Sequence, residues 1–406
     1  MLEGLEDVKW DELGHAYGPA SDVPGVIRNL ASPDPKIRGK ALHQLHGNIW
    51  HQGTVYEATA PAVPFLVALL QAPEVEDKHC ILAYLALLAN GRSYNDVHQH
   101  LSMFSEQAKS AEWQNQLEKE LSWVKRAGEA VRAGTPIYIR LLEDEGNLVR
   151  DGAAYLLGNL SLKAIEALEA VSRRLSAEKD ETVKASLVLA LGNLADGEAV
   201  ARRLLLELAS SPQAGAAQLA AAMSLLKLDP DGPPKEAIDI VLEAVKNPDK
   251  FAALSSSLWA QGETIVSLAA KHLAILQGPA TEAAEQSLTQ AVGSQPPLQA
   301  LAVAAALLAM VFPEPIDPGK SVNTLSERQR RVLGVLAENR HLWGVQLGKT
   351  FVENVNTSFL MRAYGLPDRF PVFVAFVRGE KPALEPPLTA LQNGSMVARV
   401  KRLFKK

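Results

Sequence analysis

A pattern that recurs three times along the chain constrains its fold more than any other sequence feature. Each copy has an aliphatic residue, a cation, an Ala or Leu three residues later, a leucine stripe and a final Gly-Asn-aliphatic triplet. The copies span residues 34–49, 147–160 and 180–194. Gly158 and Gly192 are 34 residues apart, and in the first copy the glycine comes one residue later relative to the cation. Such a period indicates a helical unit that must stack on its neighbours to bury its apolar face.

Each position of the pattern has a physical role in a helix. Asp34 and Asp180 stand at predicted helix starts, where a carboxylate can accept the unpaired backbone N–H groups of the first turn. The cation four residues later can form an ion pair with the aspartate of its own or the next repeat. Gly followed by Asn is typical of the left-handed conformation that ends a helix, so we expect Gly158 and Gly192 at helix C-termini.

Each copy is followed by a second apolar helix, and degenerate helix pairs continue beyond the third copy. The predicted second helices are Val63–Leu70, Ala164–Leu175 and Glu198–Ala209. The later pairs are Gln218–Leu228 with Ala237–Val245, Leu254–Ser267 with Lys271–Leu276, and Thr281–Ala291 with Pro297–Met310. No long stretch alternates apolar and polar residues as a strand would. The sequence therefore predicts an all-α fold, an α-solenoid of antiparallel helix pairs with N- and C-terminal helical caps.

These residues resemble the HEAT-repeat family, including its lyase-type (PBS-lyase) repeats. The matching segments are Asp-Pro-x-Ile-Arg at 34–38, Leu-Val-Arg at 148–150 and Glu-Thr-Val-Lys at 181–184. The resemblance is strong over residues 20–210 and weak over 211–310. The chain also resembles a group of bacterial HEAT-repeat proteins of unassigned function, through segments 10–18, 22–24, 51–64, 325–329 and 362–367. The resemblance implies a bacterial intracellular solenoid and carries no known reaction.

The predicted organisation has three parts. They are N-terminal cap helices over 1–31, HEAT-like repeats over 32–312 and a C-terminal helical cap over 320–406, after a proline-rich linker. The helix predicted over Lys78–Asn90 meets its partner only at 135–142, so a helical insertion occupies about 90–133. The amphipathic helix in this insertion either borders a binding groove or only lengthens its repeat.

The composition of the chain argues against a disordered, a disulfide-rich and a membrane-spanning protein. With 47% hydrophobic and 21% charged residues, the chain is folded rather than disordered. Its single cysteine, Cys80, excludes a disulfide framework and Cys-based metal clusters. The longest apolar run, Ala300–Phe312, has 13 residues, whereas a membrane helix needs about 18. Because the N-terminus is acidic, unlike a signal peptide, we expect a cytoplasmic protein without a membrane span.

The net charge of −5 hides an asymmetry between the two ends. Residues 1–300 hold 26 Lys and Arg against 38 Asp and Glu, whereas residues 301–406 hold 15 against 8. The C-terminal candidates for contacting an anion are Arg328, Arg330, Arg331 and Arg340. Nucleic acid is therefore a possible partner of this part, although the acidic repeats disfavour phosphate. The basic helix predicted at 396–406 could equally be a solvated surface.

A polar segment between two predicted helices is the main candidate site. Plain inter-helix loops need few polar groups, but this one is dense in donors and acceptors. The candidate residues are His51, Gln52, Thr54 and Tyr56, joined by His15 and Tyr17. They form either a recognition site for a protein or peptide, or a network that ties the N-terminal cap to the first repeat.

Sequence signatures of catalysis and metal binding are absent. His43 and His46 are three residues apart on one predicted helix, but no His-Glu-x-x-His motif, cysteine pair or acidic cluster accompanies them. We therefore predict no metal and no other cofactor. Consecutive helical residues do not face each other, so we do not expect His79 to activate Cys80. No nucleophile elbow or phosphate-binding glycine loop is present.

The sequence favours a non-catalytic protein–protein interaction scaffold, a monomer or weak oligomer with a concave solenoid surface. The candidate loop and the inserted helix would border that surface. The alternatives are a nucleic-acid-binding protein that uses the basic C-terminal region, and an enzyme or metal protein that uses the N-terminal histidines.

Overall fold

The computed structural model describes residues 2–99, 104, 106–160, 165–195, 198–317, 319–347 and 350–380. Contacts divide the chain into two compact units, Met1–Ala284 and Glu285–Lys406. The predicted all-α class is confirmed, because helices dominate both units and the described strands form only short two-stranded ribbons.

The helices of the first unit are α1 (Val23–Asn29), α2 (Pro35–Gly47), α3 (Thr59–Gln71), α4 (Lys78–Ala89), α5 (Tyr94–His98), α6 (Ala111–Ala133), α7 (Thr135–Leu141), α8 (Asn147–Asn159), α9 (Ile165–Ala177), α10 (Glu181–Leu194), α11 (Ala199–Ala209), α12 (Ala216–Leu228), α13 (Lys235–Lys246) and α14 (Ile265–Ala274). Its strands are β1 (Gly14–His15), β2 (Gly18–Pro19), β3 (Trp50–His51) and β4 (Thr54–Val55). Helix α15 (Ala280–Ala291) contains the boundary between the units.

The second unit continues with α16 (Pro297–Val311), α17 (Glu327–Glu338), α18 (Arg340–Trp343), β5 (Gly344–Leu347), β6 (Thr350–Glu353), α19 (Val355–Ala363) and α20 (Phe370–Val377). The proline-rich segment 313–319 lies inside this unit, and the predicted basic helix at 396–406 lies outside the described residues. Among the described helices, none has the length and apolar character needed to cross a bilayer.

The predicted helix starts are confirmed by their capping contacts. The carboxylate of Asp34 accepts a first-turn N–H of α2 at 2.8 Å, and that of Asp180 accepts one of α10 at 3.0 Å. At α17, Ser326 and Gln329 form a reciprocal capping box. Local side-chain chemistry thus sets where these helices begin.

Helices α4, α8, α10 and α12 pack side by side in that order, and α9, α11 and α13 pack against them. Each residue from Arg150 to Gly158 in α8 is buried, as is each from Ala216 to Leu226 in α12. A helix that is buried around its whole circumference needs cover on more than one side. Part of that cover comes from the segment at residues 248–264.

The arginine of the repeat pattern connects neighbouring helix pairs. Arg38 on α2 donates to Asp77, which precedes α4, at 2.8 Å. Arg150 on α8 donates to Glu178, which precedes α10, also at 2.8 Å. The acidic partner therefore comes from the next helix pair, although in the second case it is a glutamate.

The repeat glycines lie in the last turns of α8 and α10, as predicted, but the predicted left-handed conformation is wrong. Gly158 and Gly192 lie within α8 and α10, and neither has a positive φ. A Cβ on Gly158 would come within 2.8 Å of the Cα of Ala190, and one on Gly192 within 2.3 Å of the Ser224 hydroxyl. These glycines allow neighbouring helices to approach closely and do not form a left-handed cap.

The helix predicted over Leu254–Ser267 is also wrong. Residues 248–264, which we call the strap, begin with a 3-10 segment at Pro248–Ser256 and continue irregularly to the start of α14. The chain turns at Gln261 and Gly262, whose φ angles are 47° and 80°. The 3-10 segment of the strap lies against α10 and α12.

The strap also reaches α8 and α10 through side-chain hydrogen bonds. The backbone N–H of Leu258 donates to Asp151 Oδ2 at 2.9 Å, and the indole N–H of Trp259 donates to Ser186 Oγ at 2.8 Å. The side chain of Gln261 donates to the hydroxyl of Tyr155. The strap is therefore part of the cover over these helices.

The insertion contributes one long helix to the helical layer. Its helix α6 packs against α3 and α4, and residues near its C-terminus, Ala127 and Val131, are fully buried. Glu120 is buried and accepts hydrogen bonds from the Ser93 hydroxyl at 2.7 Å and the Asn95 backbone at 2.8 Å. These contacts anchor α6 to the turn after α4.

Three short antiparallel ribbons were not predicted from the sequence. They are β1–β2, β3–β4 and β5–β6. The third lies where the sequence predicted a helical cap, and pairs Val345 with Val352. Strands of two to four residues are too short to show an alternating pattern.

Candidate functional site

The predicted loop at 51–56 is mostly a β-hairpin. Strands β3 and β4 are joined by Gln52 and Gly53, whose φ angles of 50° and 93° suit a tight two-residue hairpin turn. The nearby β1–β2 hairpin presents His15 and Tyr17, and the backbone N–H of Ala16 donates to the Asn48 carbonyl at 3.0 Å. The structure therefore brings together the two parts of the predicted site.

His15 holds the first hairpin in place. Its Nδ1 accepts the backbone N–H of Tyr17 at 3.0 Å, so the other ring nitrogen, Nε2, carries the proton that faces Asp22 at 3.0 Å. The second carboxylate oxygen of Asp22 accepts from the side chain of Asn48 at 2.5 Å. This network connects the β1–β2 hairpin to the end of α2.

Thr54 and Tyr56 also bond within the fold. The hydroxyl of Thr54, a buried residue, contacts the carbonyl of His51 at 2.8 Å and the phenol of Tyr56 at 2.9 Å. Burial raises the pKa of the Tyr56 phenol, so this group stays protonated and neutral. Both side chains support the hairpin, Thr54 as a buried residue and Tyr56 as a half-buried one.

The outer surface of the hairpins is formed by Tyr17, His51 and Gln52, which we call the hairpin surface. Tyr17 is 71% exposed, Gln52 is exposed and His51 is half-buried. The rings of Tyr17 and His51 meet edge to face, with centroids 5.5 Å apart. Of the other three predicted residues, Thr54 and the side chain of His15 are buried, and Tyr56 is half-buried.

Two other N-terminal histidines, His46 and His98, pack against aromatic rings. His46 lies 4.6 Å from Tyr84 and 5.5 Å from Trp50, centroid to centroid. Burial, and then the proximity of His43, lower the pKa of His46, which favours the neutral imidazole. Within the described ranges, no group of three His, Cys, Asp or Glu residues could hold a metal ion.

The expectation that His79 and Cys80 do not meet is wrong. Cys80 Sγ lies 3.3 Å from His79 Nε2, although the two residues are consecutive on α4. Burial raises the pKa of the thiol and lowers that of the imidazole, so both groups are favoured in their neutral forms. The contact is therefore not an activated thiolate.

The four C-terminal arginines differ in their surroundings. Arg328 and Arg331 both form ion pairs with the buried carboxylate of Glu285, the second at 2.8 Å. Arg340 lies over the ring of Phe351, 4.5 Å from its centroid, and Arg330 is exposed. Two of the four positive charges are thus already paired with a carboxylate inside the second unit.

The contacts beneath the strap form a second candidate site, which the sequence reasoning did not find. Asp151, Tyr155 and Ser186 place polar groups in an otherwise apolar helical layer. The sequence signal was present, because three serines at 255–257 and Gly262 interrupt the helix predicted there. A second signal was the presence of Asp151, Tyr155 and Ser186 among the apolar residues of segments 147–160 and 180–194.

Comparisons with known proteins add no assignment. No protein-family model and no curated protein matches the chain. Among solved structures, the crystal structure of an engineered protein matches with 18% identity and a TM-score of 0.29. The match covers 78% of this chain and 88% of the other. At this TM-score, the similarity supports no conclusion about fold or function.

Proposed function

We propose that this protein is a non-catalytic interaction scaffold, an α-solenoid of HEAT-like helix pairs that binds a protein or peptide partner at the hairpin surface. The observation that carries the proposal is the exposure of Tyr17 on a braced hairpin. Tyrosine is enriched among residues that dominate binding energy at protein interfaces. Among the described aromatic residues, Tyr17 is the most exposed, at 71%.

The network below the hairpin surface favours binding. The His15–Asp22–Asn48 contacts and the hydroxyls of Thr54 and Tyr56 fix the backbone on which Tyr17 and His51 stand. A surface that is ordered before binding loses less conformational entropy when a partner docks. The network and the recognition site considered from the sequence are thus compatible, because buried residues brace the exposed ones.

The solenoid part of the proposal is supported by two regularities of the first unit. Helices α4, α8, α10 and α12 pack in sequence order, and Arg38 and Arg150 each bond to an acid that precedes the next first helix. Repeats that contact only their neighbours are typical of solenoids.

Nucleic-acid binding has weaker support. Glu285 already pairs with Arg328 and Arg331. Of the 15 Lys and Arg residues after residue 300, 6 belong to segment 381–406, outside the described residues. A binding titration with duplex DNA checks this alternative, because phosphate contacts strengthen as salt is lowered. Tight binding at low salt would favour the alternative over the scaffold.

The scaffold proposal predicts that Tyr17→Ala weakens partner binding without affecting stability. We expect tagged wild-type protein to capture a specific partner from its native host, and the purified partner to bind the variant at least about tenfold more weakly. Isothermal titration calorimetry measures the loss. The urea midpoint of unfolding should stay unchanged, because the Tyr17 side chain makes few contacts.

Leu298→Ala is the matched control for this experiment. Leu298 is also 71% exposed, but it lies in the second unit. Its removal should leave affinity unchanged. Equal loss of binding in both variants, or no loss with Tyr17→Ala, would contradict the assignment of the hairpin surface.

A further inference from the structure

The strap contacts α8 and α10 in the way a bound peptide contacts its receptor. It is irregular, and the hydrogen bonds described above join it to helix side chains. We propose that the surface of α8 and α10 beneath the strap is a binding site for an extended polypeptide segment that carries a tryptophan, and that the strap is an internal occupant which such a segment displaces. This site is independent of the hairpin surface.

The first element of the site is a slot for an indole ring. The ring of Trp259 packs against Gly158, where a Cβ would come within 2.9 Å of its six-membered part. Tyr155 contacts the indole edge to face, with centroids 5.1 Å apart. Because the indole N–H also donates to Ser186 at 2.8 Å, shape and polarity together select tryptophan.

The second element of the site binds main-chain groups. Asp151 accepts the backbone N–H of Leu258 at 2.9 Å, and the Thr182 hydroxyl donates to the carbonyl of Ala253 at 3.1 Å. Any extended segment offers the same N–H and C=O groups. The site therefore combines one sequence-specific pocket with contacts that do not depend on sequence.

With the strap in place, one polar atom of the site has no hydrogen-bond partner in the described part of the chain. Asp151 is 3% exposed, yet its Oδ1 has no hydrogen-bond partner among the described residues. Burial raises the pKa of this carboxyl, and the Ser186 hydroxyl and the N–H of Leu258 only partly offset that rise. A buried acceptor without a donor is unfavourable, so a segment that brings a second donor to Asp151 gains an interaction that the strap does not make.

The conformation of the strap is consistent with displacement. Gln261 adopts a positive φ of 47°, which is uncommon for a residue with a side chain. The neighbouring Gly262 is also at positive φ. Holding the strap in place therefore involves local backbone strain that is released when it leaves.

The direct test uses a fluorescent peptide with the sequence of residues 255–265 and a variant whose own slot is empty, Trp259→Ala. We expect the peptide to bind the variant at least about tenfold more tightly than the wild type, because the tethered strap competes at an effective concentration on the order of millimolar. Fluorescence anisotropy measures both affinities.

Two controls separate specific from nonspecific binding. The same peptide with alanine in place of tryptophan should not bind, and adding Ser186→Val to the Trp259→Ala variant should weaken binding of the original peptide. A folded Trp259→Ala variant that does not bind the peptide overturns the proposal. So does equal binding of the tryptophan and alanine peptides.

Hydrogen exchange of the wild-type protein tests the same idea if the variant does not fold. The amides of residues 257–262 should exchange through a local opening, faster than those of α8 and α10. Excess peptide should accelerate their exchange further by holding the strap open. If these amides exchange only as slowly as the two helices, with or without peptide, the strap is a fixed part of the core and the proposal is wrong.

Discussion

Replacing Glu178 with Gln is expected to lower the free energy of unfolding by about 3 kcal/mol at pH 7. The Glu178 side chain is 1% exposed and accepts from Arg150 at 2.8 Å and from Arg174 at 2.9 Å. It also accepts the backbone N–H groups of Lys179 and Asp180, both at 2.9 Å. Glutamine keeps the volume but removes the charge and points an NH2 group at a donor. Urea unfolding followed by circular dichroism measures the effect.

The same variant has a defined pH dependence. Burial of Glu178 acts to raise its pKa, but the hydrogen bonds from Arg150, Asp180 and Arg174 outweigh it and lower the pKa from 4.5 to about 2. A lowered carboxyl pKa stabilises the fold above the unfolded-state value and loses that contribution as pH falls through the folded value. The difference between wild type and variant should therefore be full above about pH 5 and shrink toward pH 2.

Glu207→Gln is the control, because it makes the same chemical change in an exposed pair. Glu207 bonds to Arg203 at 3.1 Å, and both side chains are largely exposed. This change should alter the free energy of unfolding by less than about 0.5 kcal/mol. A Glu178→Gln effect as small as this, or one that persists undiminished at pH 2, would contradict the role assigned to Glu178.

The features of the fold that could be predicted from sequence are those set by local interactions. Asp34 and Asp180 cap helices where the sequence places them, because a cap needs only its own first turn. The long apolar runs of α12 and α16 were likewise predicted within a few residues. The acidic partner of Arg150 was not predicted. This partner, Glu178, lies outside the repeated motif and contacts Arg150 only through tertiary packing.

The failures involve tertiary contacts that leave little periodic signal. The strap contains apolar residues at roughly helical spacing, such as Leu254, Leu258 and Ile265, so it was predicted as a helix. It is instead held irregularly by contacts with residues about 70 to 107 positions earlier in the chain, among them Asp151 and Ser186. Local propensity cannot register partners at that separation.

The hairpin site was predicted in composition but not in structure. The density of polar residues singled out His51, Gln52, Thr54 and Tyr56, and in the structure Thr54 is buried, His51 and Tyr56 are half-buried and Gln52 is exposed. A two-residue turn that accepts Gln52 at positive φ gives no Asn-Gly or Asp-Gly signal. Tertiary packing, which the local sequence does not reveal, decides which side chains of the hairpin are buried against the first unit.

Replacing Gly158 with Ala is expected to destabilise the first unit by about 2 kcal/mol. The new Cβ would lie within 2.8 Å of the Cα of Ala190, a backbone atom that can move only if α8 and α10 separate. Alanine stabilises a helix by about 1 kcal/mol relative to glycine. The measured destabilisation is therefore the cost of the clash minus this gain. The urea midpoint of unfolding, followed by circular dichroism, reports the difference.

Gly39→Ala gives the opposite result if the argument is correct. Gly39 lies within α2, is exposed, and has no atom within 4 Å of the position its Cβ would occupy. With no contact to oppose it, the helix preference of alanine should stabilise the protein by roughly 0.5–1 kcal/mol. If both substitutions stabilised the protein, the recurrence of glycine at 158 and 192 would not be explained by close helix packing. If Gly158→Ala lowers the free energy of unfolding and Gly39→Ala raises it, close packing between successive helices explains why glycine recurs 34 residues apart.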